Sequence, residues 1–199
     1  MRGTMSNRSG CWLLACTLLA TPALAAEVEG VKLEDKLKLA GTTQDLVLNG
    51  AGVRHKFGFV KVYVGSLYLT RKHHDREAVL ADTGPKRVGM HILAKEVTAN
   101  DLIASLNNSL AANLSPHELA LVEKRIRDLN SMMSGLKTIG RGSIVYLDYV
   151  PGTGTRVTVN GEPRITIPGE DFFGAMLHIW LGAKPVDGGL RDAMLGGRR

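Results

Sequence analysis

The sequence predicts an α+β fold, a largely antiparallel sheet with several helices grouped on it. Three observations carry this expectation. Short apolar and β-branched runs, bounded by Gly, Pro, Asn or Asp, fill the first half and the last third of the chain. Between them, residues 98–136 switch to the i, i+3, i+4 spacing of amphipathic helices. Near the end, Asn160-Gly161 separates two strand-like runs, a strong signal for a hairpin and so for antiparallel pairing. There is no internal repeat, low-complexity linker or break in composition, so residues 26–199 are expected to form one domain.

Residues 1–25 have the pattern of a secretory signal peptide. Arg2 and Arg8 give a positive start, CWLLACTLLATPALA gives an apolar segment too short to span a membrane stably, and Ala23-Leu24-Ala25 gives a small-x-small cleavage site. The expected location is therefore periplasmic or secreted. Cleavage would leave about 174 residues, enough for one domain with a core of its own. Both cysteines, Cys11 and Cys16, would leave with the peptide, so disulfides and thiolate metal sites are not expected. The formal charge would fall from +6 to about +4. In an exported protein that balance argues against nucleic acid. It fits either a mildly basic solvated surface or an acidic small molecule. No second long apolar segment follows, so no stable membrane span is expected after cleavage.

The elements follow in order. Residues 26–30 read as a short tail. KLKLAGTTQDLVLNG reads as two short strands around Gly41-Thr42-Thr43. After Gly50 and Gly52 comes a strand from Phe57 to Leu69, apolar on both parities and so expected to be covered on both faces. DREAVLAD (75–82) reads as a short helix with an acidic first turn, and KRVGMHIL (86–93) as another strand. Thr98 opens a helix with the stripe Leu102, Ile103, Leu106, Leu110, Leu114. Ser115-Pro116 ends it and caps the next, whose Leu119, Val122, Ile126, Leu129, Met133 and Leu136 recur at helical spacing as core packing. SIVYLDYV, GTRVTV and PRITIPG are the late strands. Glu170 begins a helix with Phe172, Phe173, Met176, Leu177 and Trp180 on one side, and a last short helix lies near 187–195.

Most chemical motifs are missing or incomplete. His73-His74-Asp75 offers adjacent histidines that point different ways and no spaced third ligand, so no metal is expected. Pro151-Gly152-Thr153-Gly154-Thr155 lacks the Gly-Lys-Ser/Thr ending of a phosphate loop. No serine elbow is present, and no cofactor is implied. What is left is Arg54, between a glycine-rich turn and a strongly apolar strand, with Tyr63 nine residues on. A guanidinium beside an apolar cavity holds a carboxylate or phenolate, and a tyrosine hydroxyl adds a donor. The alternative is a plain rim arginine. Asp101 and Asn108 share a helix face with Ala104, Ser105, Ala111 and Ala112, offset from the leucine stripe. Those small residues either leave room for a ligand or form an ordinary solvent face.

Gly50-Ala51-Gly52-Val53-Arg54, Lys61-Val62-Tyr63-Val64 and Leu67-Tyr68-Leu69 resemble the opening of the chalcone isomerase fold. Pro85-Lys86-Arg87-Val88, Asn107-Asn108, the strand pair through Pro168, and Phe172 to Gly182 follow in the right order. The resemblance covers roughly residues 28–195 and is closest to bacterial exported chalcone isomerase-like proteins. It implies an open-faced β-sandwich, a large antiparallel sheet with helices on one face. It implies either of two functions: closure of a chalcone by phenolate addition, or binding of a fatty acid without catalysis. Arg54 falls on the family arginine and Asn108 on the helix asparagine. Tyr63 falls near the strand threonine of the enzymes and resembles the fatty-acid-binding arrangement. Asp101 falls where the enzymes keep a helix tyrosine, and Ile179 near a further polar position. The ketone-polarising set is therefore broken.

The expected function is a periplasmic protein binding a small amphipathic anion such as a fatty acid. Arg54 and Tyr63 would meet the head group, with Phe57, Phe59, Val62, Asp101 and Asn108 lining the site. The alternative is an isomerase acting on a phenolic or enone substrate through Arg54, Tyr63 and Asn108. An envelope module that binds a protein partner is a third possibility.

Overall fold

The computed structural model describes residues 26–197; the expected signal peptide, with both cysteines, lies outside the described residues. A seven-stranded sheet is the frame. Its strands are β3 (Lys36–Lys38), β4 (Asp45–Lys56), β5 (Val60–Leu69), β6 (Lys86–Ile92), β9 (Ile144–Val150), β10 (Gly154–Val159) and β11 (Glu162–Ile167). They lie in the order β11-β10-β9-β6-β5-β4-β3, every neighbour antiparallel. The remaining strands form two small pairs: β1 (Ala26–Val28) with β2 (Val31–Leu33), and β7 (Glu96–Thr98) with β8 (Thr138–Gly140). The helices are α1 (Arg76–Ala81), α2 (Ala99–Asn113), α3 (Pro116–Gly135), α4 (Glu170–Leu181) and α5 (Gly188–Met194).

The expected α+β class, with a large antiparallel sheet and helices, is what the molecule has. One sheet face and the helices share the main core, which includes Leu67 and Leu69 of β5, Leu110 of α2, Val122 and Leu129 of α3, and Phe172 and Leu177 of α4. Val64 and Tyr68 of β5 belong to a smaller core with Leu33, Leu46 and Val53. β5 is thus covered on both faces, as its double apolar parity requires. α3 begins as expected: the Ser115 hydroxyl accepts from the Glu118 backbone N–H, and the Glu118 carboxylate accepts from the Ser115 N–H.

Three local expectations are corrected, and two short strands are added that the sequence did not announce. Residues 26–30 are not a tail, because Glu29-Gly30 turns the chain at φ values of 50° and 76° and β2 returns to bury Leu33. Gly50 and Gly52 are not a turn before a strand; β4 runs straight through them. They are glycines because α5 lies against the strand there. A Cβ at Gly50 would stand 2.1 Å from the Ala193 carbonyl oxygen, and one at Gly52 would stand 2.6 Å from the Ala193 methyl. Phe57 and Phe59 do not belong to a strand; with Gly58 they form the turn between β4 and β5. β7 and β8 are three residues each, too short to show a period.

The close approach of α5 to β4 yields a test. Gly50→Ala should cost about 1–3 kcal/mol by overpacking against backbone that cannot move aside. In a domain of this size that lowers Tm by roughly 2–12 °C. Gly135→Ala, where a Cβ meets nothing within 4 Å at the end of α3, should leave Tm unchanged or raise it by a few degrees. Thermal unfolding followed by circular dichroism checks both.

Candidate functional site

Two irregularities in the β4–β5 ladder set the site. The register shifts between Leu48 and Gly50, which leaves Asn49 as an extra residue. Its side-chain amide donates to the Met194 carbonyl at 2.7 Å and to the His73 carbonyl at 2.9 Å, tying β4 to the end of α5. The second shift lies between Arg54 and His55 and leaves Val62 as the extra residue of β5. Arg54 then stands directly opposite Tyr63. A bulge of this kind turns two successive side chains towards one side, and Val62 and Tyr63 both line the same cavity.

The cavity has a volume of about 490 Å³, within the range of small-molecule sites. Its floor is the helix-facing side of the sheet, with Ile92, Val145, Leu147 and Val157. Its roof is Leu102, Leu106 and Ser109 of α2, Leu129, Met132 and Met133 of α3, and Ile179 and Trp180 of α4. The exposed residues on its wall mark the mouth: Lys56, Val60, Glu96, Asp101, Ala104 and Asn108. The interior is apolar except where Arg54, Tyr63, Ser105, Ser109 and Trp180 enter.

Arg54 is half-buried. One terminal nitrogen, Nη2, donates to the Ser105 hydroxyl at 3.2 Å, and the guanidinium carbon lies 5.6 Å from the centre of the Tyr63 ring. Its Nε is buried and has no hydrogen-bond partner. Among the described residues, Arg54 is the one half-buried arginine that has no carboxylate within ion-pair distance. Arg76, Arg87, Arg125, Arg156 and Arg191 each have one. Tyr63 is buried, and its hydroxyl accepts a hydrogen bond from Trp180 Nε1 at 2.9 Å. That leaves its own proton for an acceptor in the cavity. Desolvation raises the Tyr63 pKa, while Arg54 and the Trp180 hydrogen bond oppose the rise, so Tyr63 is a neutral donor.

At the mouth, Asp101 accepts from the Thr98 hydroxyl at 2.8 Å and from Lys56 Nζ at 3.4 Å. Thr98 first, then Lys56, lower its pKa, so it is a carboxylate at neutral pH. Asn108 lines the mouth and is exposed.

The structure thus brings Arg54, Val62, Tyr63, Asp101, Asn108 and Ile179 around one cavity. Phe57 and Phe59 are outside it. They are 78% and 77% exposed, because a hairpin tip with no element packed over it has nothing to bury them. The small-residue face of α2 divides along its length: Ala104 and Ser105 line the cavity, whereas Ala111 and Ala112 face solvent. Ser105 was read only as one of the small residues that leave room for a ligand or form a solvent face, and Trp180, Met132 and Met133 were not anticipated as site residues. Their helical spacing reads the same whether a side chain meets another side chain or a void. His73 and His74 diverge: His73 Nε2 accepts from Arg71, and His74 Nδ1 contacts the Leu195 carbonyl. No described helix is long and apolar enough to cross a membrane.

A family model described as chalcone isomerase-like matches residues 25–196, and the chain belongs to that family. No curated protein matches the sequence. Among solved structures, a crystal structure of a fatty-acid-binding protein of Arabidopsis thaliana superposes with a TM-score of 0.62 at 15% identity. The match covers 83% of this chain and 92% of that one. At that identity the likeness establishes the shared fold.

Burial raises the pKa of Tyr63, Tyr68, Tyr146 and Tyr149, all four tyrosines of the chain. In the unfolded chain they ionise near pH 10. The folded state therefore binds more protons above that pH, and the stability involved is fully present below about pH 10 and lost as pH rises through the folded values. The denaturant midpoint should be lower at about pH 11 than at about pH 9, with tyrosinate absorbance rising together with unfolding. Full tyrosinate absorbance near pH 10 in a still-folded protein would contradict the burial described.

Proposed function

We propose that this chain is an exported, periplasmic protein that binds an amphipathic anion such as a fatty acid and performs no chemistry on it. One observation carries the reading: a half-buried guanidinium with no carboxylate partner and an unsatisfied Nε, at the polar point of an apolar cavity. Burying a cation beside apolar walls is unfavourable unless an anion pairs with it. A carboxylate does so bidentately, and Tyr63 has a proton to add. An acyl chain matches the walls of leucine, valine and methionine. The Arabidopsis structure, described as a fatty-acid-binding protein, adds support through the shared fold. The pattern of residues 1–25 supports export.

Catalysis by chalcone closure needs more than Arg54 and Asn108. The position that resembles the enzymes' helix tyrosine is Asp101, ionised and engaged by Lys56, and Tyr63 already accepts from Trp180. As a carboxylate, Asp101 has no proton for the water-mediated polarisation of a ketone, so of that pair of donors only the Tyr63 hydroxyl remains.

Arg54→Gln should weaken binding of a long-chain fatty acid by about tenfold to a hundredfold, because a hydrogen bond to a charged group contributes about 1.5–3 kcal/mol. The wild-type preference for the acid over the alcohol of equal length should disappear in the variant. Displacement of a fluorescent fatty acid measures both. Equal affinity of wild type and Arg54→Gln would remove the assigned role. Conversion of a chalcone well above the spontaneous rate, lost in Arg54→Gln, would favour the isomerase reading instead.

A further inference from the structure

The β4–β5 turn spends two phenylalanines on solvent. Phe57 and Phe59 are 78% and 77% exposed, and Val60 beside them is 41% exposed. Only one other large apolar side chain among the described residues, Leu121 of α3, is comparably exposed. The backbone makes the choice more pointed. Phe57 and Gly58 have φ values of 57° and 79°, the left-handed region where a bulky side chain is disfavoured. Two other turns pair a positive-φ residue with a positive-φ glycine in the same way, and they carry Glu29-Gly30 and Asn160-Gly161. Those first positions are polar, and Asn is the residue this geometry ordinarily takes. The turn's conformation therefore does not explain Phe57, and neither does burial, since the ring is open to solvent apart from the Lys56 ammonium 5.5 Å from its centre.

The tip is continuous with the cavity mouth. Lys56 and Val60, the residues that bracket Phe57-Gly58-Phe59, both line the cavity. Lys56 and Lys61 sit on either side of the aromatic tip, each half-exposed and each ion-paired, to Asp101 and Glu29 respectively. Long lysine side chains beside an aromatic wedge match the layering of a bilayer interface, with rings at the acyl boundary and ammonium groups among the headgroups. A wedge of three side chains is too small for a stable protein interface, which takes about 800 Å² per partner.

We infer that the Phe57-Gly58-Phe59 tip is a lipid-interface wedge that seats the cavity mouth on a bilayer surface. Because the flanking lysines are already paired, insertion of the rings supplies most of the binding. Anionic lipid and low salt then have only a secondary effect. The inference stands on the tip itself; it would hold for any cavity content that exchanges with a membrane.

The test is co-sedimentation of the purified protein with vesicles of phosphatidylethanolamine and phosphatidylglycerol. The variant is Phe57→Asn combined with Phe59→Ser, which gives the turn its favoured residue. Its Tm should equal or exceed that of wild type, and its partitioning should fall about tenfold or more, the scale expected when two phenylalanine side chains no longer leave water. Arg54→Gln, which alters the cavity and not the tip, should partition like wild type, so failure of the fatty-acid reading and failure of this one are separable. Equal partitioning of wild type and the double variant would overturn the inference, as would wild-type protein that stays in the supernatant. A wild-type dimer that the double variant converts to monomer, with no vesicle binding by either, would overturn it in favour of a second copy as the occupant of the tip.

Discussion

Arg54 stands opposite Tyr63 in the β4–β5 ladder, and this pairing fixes the side of the sheet on which the cavity's polar groups appear. Successive strand residues point to opposite faces, so a slip of one position would turn Arg54 away from the helices and into the smaller core around Val53 and Val64. Three features hold the register. Asn49 bulges out of the ladder to bind the Met194 carbonyl, Val62 bulges from the other strand, and Gly50 and Gly52 admit α5 against the sheet. At the start of α5, Asp187 accepts hydrogen bonds from the His55 and Leu190 backbone N–H groups, which fixes the helix to the residue after Arg54. The glycine-rich stretch beside the arginine thus has a physical reason: it lets a helix dock just short of Arg54 and leaves space beyond it.

The polar content of the cavity is small and unbalanced. Tyr63 and Trp180 satisfy one another in part, Ser105 takes one arginine hydrogen, and no described carboxylate neutralises the guanidinium. Elsewhere the chain pairs such charges closely. Arg87 bonds Asp148 through two nitrogens at 2.6 and 2.8 Å, and Arg125 bonds Asp171 through two at 2.6 Å. Those forks tie elements of the fold together. Arg54 lacks such a partner, and its exception is what the ligand reading explains. Asp101, an acid on the mouth, is occupied by Thr98 and Lys56 and makes no ion pair with the arginine.

Much of the fold was legible because its signals are local. Asn160-Gly161, the Ser115-Pro116 cap and the leucine stripes of α2 and α3 each specify a conformation within a few residues. The fold family was legible from Gly50 to Leu69 and the later pieces in their order. Other features depend on distant partners. Gly50 and Gly52 look like a turn until α5, some 140 residues later in the chain, is seen to lie on them. Phe57 and Phe59 carry the apolarity of a strand, and no local pattern distinguishes a buried ring from an exposed one. Leu106 and Met133 keep core spacing while bordering a void, because an amphipathic stripe records which face is turned inward and not how well that face is filled.

The most direct measurement is a crystal structure of the protein with a long-chain fatty acid bound. The account predicts the carboxylate within about 3.2 Å of Arg54 nitrogens, Nε included, the Tyr63 hydroxyl in contact with it, and the acyl chain along Leu102, Leu106 and Met133. A fatty acid bound with its carboxylate away from Arg54, or a cavity that stays empty at saturating fatty acid, would contradict it.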